Sequence, residues 1–444
     1  MYCYSLEGAI MSKTRTTESR RPLRYTLSPG LHSLIPIETT PGAACTLKPE
    51  DNSESKRSLK AYAGPDGIAR FYVRPSWECE EIAKLVVESV KDGKATHHPL
   101  HFRSSRFPTK EMPSPPAERF LAQRDVGRAV APLSIDEALR LTDKEALARG
   151  YPLRPNPEEA PNAFRSWLRA VSLPMTLVEP FPIPNEDKSH GKNRQAGPAN
   201  SGNWSGFELD RSLLVFGIRP PRARLTEPYD WVAGEWNVPA VSSEPNRQTY
   251  STLWVGLDGD GLVDLVQAGT EQDSVNYSLL FVNVTVSTYY AWTEFLPQQP
   301  TEQVISGLVV NPGDLMFTEV WMGNAGSSPT LAGAFGIFLI MNLSTGAYTN
   351  VYTPVGGTRV SGSEAVWIME RPTVGGSLPD LANYGSAIIS SASARKANAA
   401  RHQGYIAYQG ARNKQITMVN GADILSTVTP IDANSMRFNW QRFN

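Results

Sequence analysis

The C-terminal half of this sequence, from about residue 200, is built from short apolar runs separated by Gly, Pro, Asn and Ser. The runs are five to nine residues long or slightly longer and lie at 231–238, 278–287, 289–295, 315–322, 335–343, 347–352 and 365–370. Such runs with such turn residues are typical of β-strands, and no helix of length is indicated before about residue 391. Many short strands at regular spacing predict a mainly β domain, an antiparallel double-sheet sandwich or jelly roll.

The rest of the 444-residue chain differs in composition, and its length exceeds the roughly 100–200 residues of one typical domain. The first residues are polar and without periodicity, as in disordered segments. The region that follows mixes strand-like and helix-like patterns, and a polar stretch separates it from the β domain. We therefore expect four segments, namely 1–60 disordered, 61–185 a small mixed α/β region, 186–199 a linker and 200–444 the β-sandwich domain.

Local signals specify the elements of the mixed region. A strand is predicted at 68–73, and Asp92-Gly93 is a favoured turn pair for a hairpin between two further strands. Ser134 and Thr142 each open a capping box, the pattern that starts a helix. A third helix is predicted over residues 156–171, where apolar residues recur on one face.

The β domain is poor in basic residues. Residues 199–444 carry 14 Lys and Arg against 20 Asp and Glu, and no Lys or Arg lies between Arg247 and Arg359. Nucleic-acid binding is dominated by cationic contacts to phosphate, so we expect no nucleic-acid partner. A surface with few cations repels itself less in acid. No apolar run reaches the ~18 residues of a membrane span, so we expect no membrane segment.

Common hydrolase signatures are missing from the β domain. There is no Gly-x-Ser-x-Gly elbow and no His-Glu-x-x-His zinc helix, and the three cysteines lie before residue 80, which leaves no cysteine-based metal site here. The six histidines all lie outside residues 199–390, which disfavours a Ser-His or Cys-His mechanism there. Catalysis by this domain would therefore fall to carboxylates and amides.

A single glutamine interrupts the apolar run that follows the turn at 258–261. Gln267 needs partners or a role, because a buried amide without hydrogen bonds costs about 1–3 kcal/mol. Side chains alternate between the faces of a strand, so Gln267 shares a face with Glu271, and Trp292 shares one with Glu294. Glu370 lies on a similarly mixed face of its own strand. A polar strand face is usually only solvated, so this pattern alone does not identify a site.

Five ordered motifs over about residues 200–440 resemble the glutamic peptidases, also called eqolisins or peptidase family G1. The motifs are NWSG at 203–206, WVAGEWNVP at 231–239, LWVGLDG at 253–259 with LVQAG at 265–269, AWTEF at 291–295, and AVWIMERP at 365–372. No single motif is specific, but their order is.

The resemblance implies a concanavalin-like, jelly-roll sandwich and an endopeptidase that works in acid on protein or peptide substrates, as a monomer, without a metal, cofactor or covalent intermediate. It assigns Glu370 as the general base that activates water and then protonates the leaving amine, and Gln267 as the group that positions the water and stabilises the oxyanion. A free glutamate has a pKa of ~4.3, so near that pH it can both accept and donate a proton. Supporting or substrate-binding roles are implied for Trp204, Trp254, Asp258, Glu271, Trp292 and Glu294.

Two other functions fit the same architecture. A catalytically inactive sandwich could bind carbohydrate or peptide, and Glu294 with Glu370 could form a two-carboxylate glycosidase. The presence of both Gln267 and Glu370 favours the peptidase, because glycosidases do not need the glutamine. Residues 61–185 are open to two interpretations, a propeptide released in acid or an accessory domain. The resemblance implies secretion, although the chain begins with no clear secretory signal.

Overall fold

The computed structural model describes most of the chain, and the elements named below lie within the described part. The described residues are 18–19, 23–27, 33–50, 58–75, 82–104, 127–152, 154–155, 157–158, 161–193, 199–210, 212–215, 222–225, 228–260, 264–279, 282–323, 335–356, 360–396, 402–404 and 412–444. The helices are Ile135–Arg140, Asp143–Arg149 and Pro161–Val171. No helix in these ranges is long and apolar enough to cross a membrane.

Strands make up most of the rest. Up to residue 200 they are β1 (Glu18–Ser19), β2 (Leu23–Leu27), β3 (Ser33–Glu38), β4 (Ala44–Pro49), β5 (Leu59–Tyr62), β6 (Ile68–Pro75), β7 (Ile82–Lys91), β8 (Lys94–Ser104), β9 (Arg128–Val130), β10 (Met175–Leu177), β11 (Pro182–Pro184) and β12 (Lys188–Ser189). From residue 200 they are β13 (Asn200–Ser201), β14 (Trp204–Asp210), β15 (Ser212–Val215), β16 (Arg222–Leu225), β17 (Tyr229–Asn237), β18 (Gln248–Asp258), β19 (Leu265–Leu279), β20 (Val282–Leu296), β21 (Gln303–Ile305), β22 (Leu315–Gly323), β23 (Phe335–Asn342), β24 (Ala347–Pro354), β25 (Glu364–Glu370), β26 (Thr373–Val374), β27 (Asp380–Leu381), β28 (Ser386–Lys396), β29 (His402–Gly404), β30 (Arg412–Asn420), β31 (Asp423–Asp432) and β32 (Ser435–Trp440).

Two sheets form the C-terminal domain. The front sheet has the antiparallel order β3-β6-β20-β19-β18-β25-β14-β30. The back sheet runs β9-β10-β24-β23-β22-β17-β28-β32-β31-β30, so β30 contributes to both. The sheets share one apolar core, in which Val255 and Val266 of the front sheet pack with Val232 and Phe338 of the back sheet. This confirms the predicted mainly β architecture of two facing sheets, while the jelly-roll, concanavalin-like connectivity stays a prediction.

Alternation along the front-sheet strands separates this core from a second, outer face. On β18, Leu253 and Val255 belong to the shared core, whereas Trp254 lies on the other side of the strand. The outer face has its own buried cluster, which includes Trp254, Trp292 and Ile368. Both faces of these strands are therefore covered, and a polar side chain on the outer face is shielded from water.

The N-terminal region does not follow the predicted division at residue 60. Strands β3 and β4 lie within residues 1–60, which the sequence predicts to be disordered. They are ordered because alternate side chains such as Cys45 and Leu47 are buried in a core. β6 pairs with β20 and continues the front sheet. The remaining N-terminal strands form a separate sheet of order β1-β8-β7-β4-β5, with β2 also beside β8. Most of residues 1–32 lies outside the described part.

Several local predictions for this region are confirmed. The hairpin between β7 and β8 turns at Asp92 and Gly93, both of which have positive φ. Both capping boxes form, with Glu137 returning to the backbone of Ser134 and Glu145 to that of Thr142. The third helix begins at Pro161, five residues later than predicted. The run at 278–287 is not one strand, because β19 ends at Leu279 and β20 begins at Val282.

Candidate active site

Glu370, the last residue of β25, lies fully buried on the outer face of the front sheet. Its Oε1 accepts a hydrogen bond from Asn203 Nδ2 at 2.8 Å, and its Oε2 accepts one from Trp254 Nε1 at 2.9 Å. Asn203 reaches the carboxylate because it precedes β14, whose first residue, Trp204, pairs with Glu370. The NWSG and AVWIME motifs thus meet at one carboxylate, which is oriented by neutral donors.

Gln267 lies on β19, opposite Gly256 of β18 and Glu294 of β20. Its Nε2 donates to Glu294 Oε2 at 2.6 Å, and its Oε1 has no hydrogen-bond partner among the described residues. A Cβ atom on Gly256 would lie 3.1 Å from the Cβ of Gln267, so a larger residue at position 256 would crowd the Gln267 side chain. Burial raises the pKa of Glu294 to about 8 although His190 opposes the shift, so in acid Glu294 is a neutral carboxylic acid.

The sequence predicts that Gln267 and Glu370 lie on adjacent or facing strands, within reach of one shared water. Their strands are not adjacent, and the register does not bring the two residues level: Gln267 pairs with Gly256, which pairs with Val366 on β25, whereas Glu370 lies four residues further along and pairs with Thr252. β18 lies between β19 and β25, and both residues use the outer face that Trp254 of β18 also occupies. Glu294 connects the two: it accepts from Gln267, and its other oxygen lies 3.5 Å from the backbone nitrogen of His190, whose ring contacts Glu370. Paired residues on neighbouring strands point to the same face of a sheet, so Gln267 and Glu370 share a face although β18 lies between their strands.

The three predicted tryptophans surround this carboxylate. Trp204 and Trp254 pack edge to face, with ring centroids 5.0 Å apart and an interplanar angle of 77°. Trp292 is fully buried, and its Nε1 donates to Thr252 Oγ1 at 2.8 Å. The indoles enclose the site and exclude water from it, which strengthens the electrostatic interactions inside.

Asp258 contacts the backbone of the turn that leads into β25. It ends β18, and its carboxylate accepts from the backbone N–H groups of Gly362 at 2.8 Å, Ser363 at 2.5 Å and Glu364 at 3.2 Å. Burial and the nearby Asp264 raise its pKa to about 7. The resemblance implies a supporting role for Asp258 around the dyad. Asp258 lies two residues beyond Gly256, the β18 partner of Gln267, so it is at the Gln267 end of the strands and six residues from Thr252, the β18 partner of Glu370. Its contacts hold the turn that leads into β25.

A segment outside the β domain covers the outer face. Residues 185–193, which we call the strap, contain β12, which pairs antiparallel with β26 just after Glu370. His190 of the strap is fully buried: its Nδ1 lies 3.3 Å from Glu370 Oε2 and its Nε2 lies 3.0 Å from Glu302 Oε2. Its ring stacks on Trp292, with centroids 3.9 Å apart and an interplanar angle of 9°. An imidazole thus occupies the position beside the candidate base.

The environment of His190 favours its charged form. Burial alone would lower the pKa of His190, but the carboxylates of Glu370 and Glu302 outweigh burial and hold that pKa well above its usual range. Burial likewise raises the pKa of Glu302, but Lys188 and His190 outweigh burial and leave the pKa below its usual value. The strap and the sheet are therefore joined by buried ion pairs, which are costly to break one partner at a time.

Lysines on either side of His190 extend this pattern. Lys188 Nζ lies 2.8 Å from Glu271 Oε1 and 2.6 Å from Asp273 Oδ2. Lys192 Nζ lies 2.9 Å from Asp260 Oδ2 at the other end of the strap. Glu271 is thus a strap contact. The prediction of a linker over 186–199 is wrong for residues 186–193. Lys188, His190 and Lys192, spaced two residues apart, bind carboxylates of the sheet.

Residues 222–440 match the family model described as the Peptidase A4 family. This part of the chain belongs to the Peptidase A4 family. The match includes Gln267, Glu294 and Glu370, whereas Asn203 and the strap lie before it.

Solved structures similar to this chain include two of scytalido-glutamic peptidase. One carries a transition state analog inhibitor (16% identity, covering 54% of this chain and 98% of that chain, TM-score 0.39), and the other a peptide-based transition state analog (16% identity, the same coverages, TM-score 0.38). A third is SCP-B, a member of the eqolisin family, in complex with the tripeptide Ala-Ile-His (15% identity, 54% and 98% covered, TM-score 0.36). No curated protein sequence matches the chain.

The site residues of the C-terminal domain and its strap that sequence reasoning missed are Lys188, His190, Asn203, Asp273 and Glu302. Asn203 was part of a quoted motif but had no role assigned. For the strap, a signal did exist: Lys188, His190 and Lys192 alternate just before a domain whose central span lacks basic residues. Alternating cations in a polar stretch indicate an extended segment with one face against acidic groups.

Two groups of described side chains in the C-terminal domain and its strap bring metal-ligating atoms within 4.8 Å of one another. They are His190, Glu271 and Glu302, and Glu208, Asp260 and Glu364. Lys188 lies against Glu271 in the first group and Lys192 against Asp260 in the second. The ammonium groups supply positive charge that a cation would otherwise bring, and the absence of a metal from the reaction remains a prediction.

Proposed function

We propose that this chain is an acid-acting endopeptidase that hydrolyses protein or peptide substrates with Glu370 and Gln267. The observation that carries the proposal is the convergence of Asn203 and Trp254 on Glu370, on the same buried face as a glutamine with an unpartnered amide oxygen. A carboxylate with fixed orientation suits proton transfer. A non-titrating amide on the same face can accept a hydrogen bond from water through its oxygen, and the second hydrogen of its nitrogen can donate to an oxyanion in acid.

In the proposed reaction, the Glu370 carboxylate takes a proton from a water molecule as the oxygen attacks the scissile carbonyl. The Gln267 amide donates a hydrogen bond to the developing oxyanion. Glu370 then returns the proton to the leaving amine, so no covalent intermediate forms. Glu294 stays neutral in acid because of its raised pKa, so it adds no negative charge beside the oxyanion.

The strap must leave before a substrate can bind, because His190 stands against Glu370 and stacks on Trp292. We therefore infer that residues before about 194 act as a propeptide, of which the strap is the inhibitory part. The cations of the strap meet ionised carboxylates at neutral pH, and protonation of those carboxylates in acid weakens the contact. N-terminal sequencing of the active protein should give a start between about residues 193 and 203; activity with an uncleaved N-terminus would favour an accessory role.

Two isosteric or nearly isosteric variants test the dyad. Full-length protein should digest denatured protein below about pH 5, insensitive to chelators. Glu370→Gln should lower the rate by about 10²–10⁴-fold, as expected for a lost general base. Gln267→Leu should lower the rate by about 10²–10³-fold, as expected for a lost oxyanion donor.

Glu364→Gln is the matched control, on the same strand and the same face. Burial and the nearby Glu208 raise the pKa of Glu364 to about 9, so it is neutral at the assay pH and a neutral amide should leave the rate nearly unchanged. Wild-type rates in either dyad variant would remove the proposed mechanism. Absence of cleavage between pH 2 and 7 would remove the peptidase itself.

A further inference from the structure

Lys188 occupies a pocket lined by carboxylates and aromatic rings, which together bind a cation. Its ammonium group contacts the carboxylates of Glu271 and Asp273 and lies 2.8 Å from the hydroxyl of Tyr290. It also lies 4.8 Å from the ring centroid of Tyr250 and 5.3 Å from that of Tyr290. Two buried carboxylates beneath two aromatic rings combine ion pairing with cation–π attraction.

The pocket belongs to the Peptidase A4 domain and not to the strap. Glu271 and Asp273 lie on β19, Tyr250 on β18 and Tyr290 on β20, so three neighbouring strands supply its walls. The oxygens Glu271 Oε2 and Asp273 Oδ1 are buried and have no hydrogen-bond partner among the described residues. Once Lys188 has left, at least two carboxylates would remain buried without a cation, which is costly unless a proton or another cation replaces it.

The strap also indicates which part of a substrate would reach the pocket. Lys188 and His190 are two residues apart and face the sheet together, and the backbone between them is extended beside β26. His190 marks the position next to Glu370. A peptide that follows the same path places one side chain beside Glu370 and the side chain two residues before it in the pocket.

We propose that Tyr250, Glu271, Asp273 and Tyr290 form a substrate subsite selective for a lysine or arginine side chain, which Lys188 of the strap fills before activation. This inference rests on the proposed function, and it adds the substrate class. It makes the enzyme selective for basic peptides at one position, and it makes the strap a mimic of the preferred substrate.

The first experiment compares peptides that differ only in the presence of an ammonium group. One peptide that the full-length protein cleaves is resynthesised with lysine or norleucine, the same side chain without the ammonium, at each position in turn. At one position lysine should raise kcat/KM at least tenfold over norleucine, mainly through KM. Asp273→Asn should reduce this ratio to about twofold or less.

Asp230→Asn is the matched control, because Asp230 is equally buried but lies on β17 of the back sheet, where it pairs with Arg395. It should keep the tenfold preference. The groups facing the cation are Glu271, Asp273, Glu302, Tyr62, Tyr250 and Tyr290. Burial raises the pKa of Glu271 and of Asp273, so the lysine preference should grow as the assay pH rises from 3.5 to 5.5. No preference at any position, or a preference that survives Asp273→Asn, would overturn the subsite.

A binding measurement separates failure of the subsite from failure of the peptidase. In full-length protein with Lys188→Ala, His190→Ala and Lys192→Ala, a labelled peptide of residues 182–193 should bind at pH 6. Its affinity should be at least tenfold higher than that of the same peptide with norleucine at position 188. Equal affinities or no binding would count against the subsite. Lysine-dependent binding without any cleavage would remove the proposed peptidase and leave the subsite standing.

Discussion

Hydrogen bonds to Glu370 come from residues far apart in the sequence. Asn203 and Trp254 donate from β-domain motifs, and the strap adds the backbone N–H of Gly191 at 3.4 Å from Glu370 Oε1. Donors to a buried carboxylate hold it in one orientation and replace the water it has lost. The orientation of the Glu370 carboxylate therefore depends on donor groups that the fold brings together from distant parts of the sequence.

Replacement of one donor tests this dependence. Trp254→Phe keeps most of the aromatic packing and removes the Nε1–H that donates to Glu370. It should lower the free energy of unfolding at neutral pH by about 1.5–3 kcal/mol more than its control does, because a hydrogen bond to a charged group is lost. Urea denaturation measures the difference. The control is Trp321→Phe on the back sheet, since Trp321 is equally buried and its Nε1 has no hydrogen-bond partner among the described residues.

Equal losses of stability in the two variants would contradict an energetic role for the Trp254 hydrogen bond. The peptidase rate adds a second readout. Trp254→Phe should also lower kcat, since the carboxylate loses one of the donors that orient it, whereas Trp321→Phe should not.

At the scale of elements, the strap and the front sheet form one unit that responds to pH. His190 has a raised pKa, so the stability it contributes is complete below about pH 6.5 and is lost as the pH rises through that raised value. Glu302 has a lowered pKa, so its contribution is complete above about pH 4.5 and is lost as the pH falls through the lowered value. The contact between them is therefore strongest between about pH 4.5 and 6.5. In acid, protonation of Glu302 weakens it.

Hydrogen exchange of residues 185–193 should follow this window. Protection should be high at pH 6 and fall below about pH 4.5, together with the appearance of activity. His190→Gln should weaken the contact to Glu302 and Glu370 and move the onset of activity to higher pH, because fewer carboxylates then need protons. His97→Gln is the control, since His97 lies on β8 of the N-terminal sheet and pairs with Glu88. An unchanged onset in His190→Gln would contradict the role of the strap in closing the site.

At the scale of the whole molecule, the N-terminal region is continuous with the front sheet. Phe71 and Val73 of β6 pack in one cluster with Val275 and Tyr277 of β19, and β6 pairs with β20. In the uncleaved chain this region covers the cluster and an edge of the front sheet that would otherwise be open to pairing with another chain. We therefore propose that residues 33–75 fold together with the C-terminal domain.

Phe71→Ala tests this continuity. Phe71 is fully buried, so its truncation should cost about 3–5 kcal/mol. If the regions fold as one unit, the transition followed by tryptophan fluorescence should shift with that followed by far-UV circular dichroism. Leu139→Ala is the control at an exposed helix position and should change stability by less than about 0.5 kcal/mol. Two separate transitions, with only one affected by Phe71→Ala, would indicate an independent N-terminal domain.

The sequence alone determined what depends on local period and local turn chemistry. Strand alternation is a property of the backbone, so it placed Gln267 on one face with Glu271, and Trp292 on one face with Glu294, before any pairing was known. Capping boxes and the Asp92-Gly93 turn act over a few residues, which is why they were predictable. The ordered motifs identified the family.

Only the tertiary structure decided what meets across long sequence separations. No local pattern could reveal that β18 separates Gln267 from Glu370, or that Asp258 accepts a hydrogen bond from the backbone of Gly362, since strand order is set by the packing of the whole sheet. The seating of His190 on Glu370, 180 residues away, is of the same kind. Buried ion pairs form only where distant elements exclude water together. For that reason the sequence predicted a linker at residues 186–199, whereas in the structure the strap covers the candidate site.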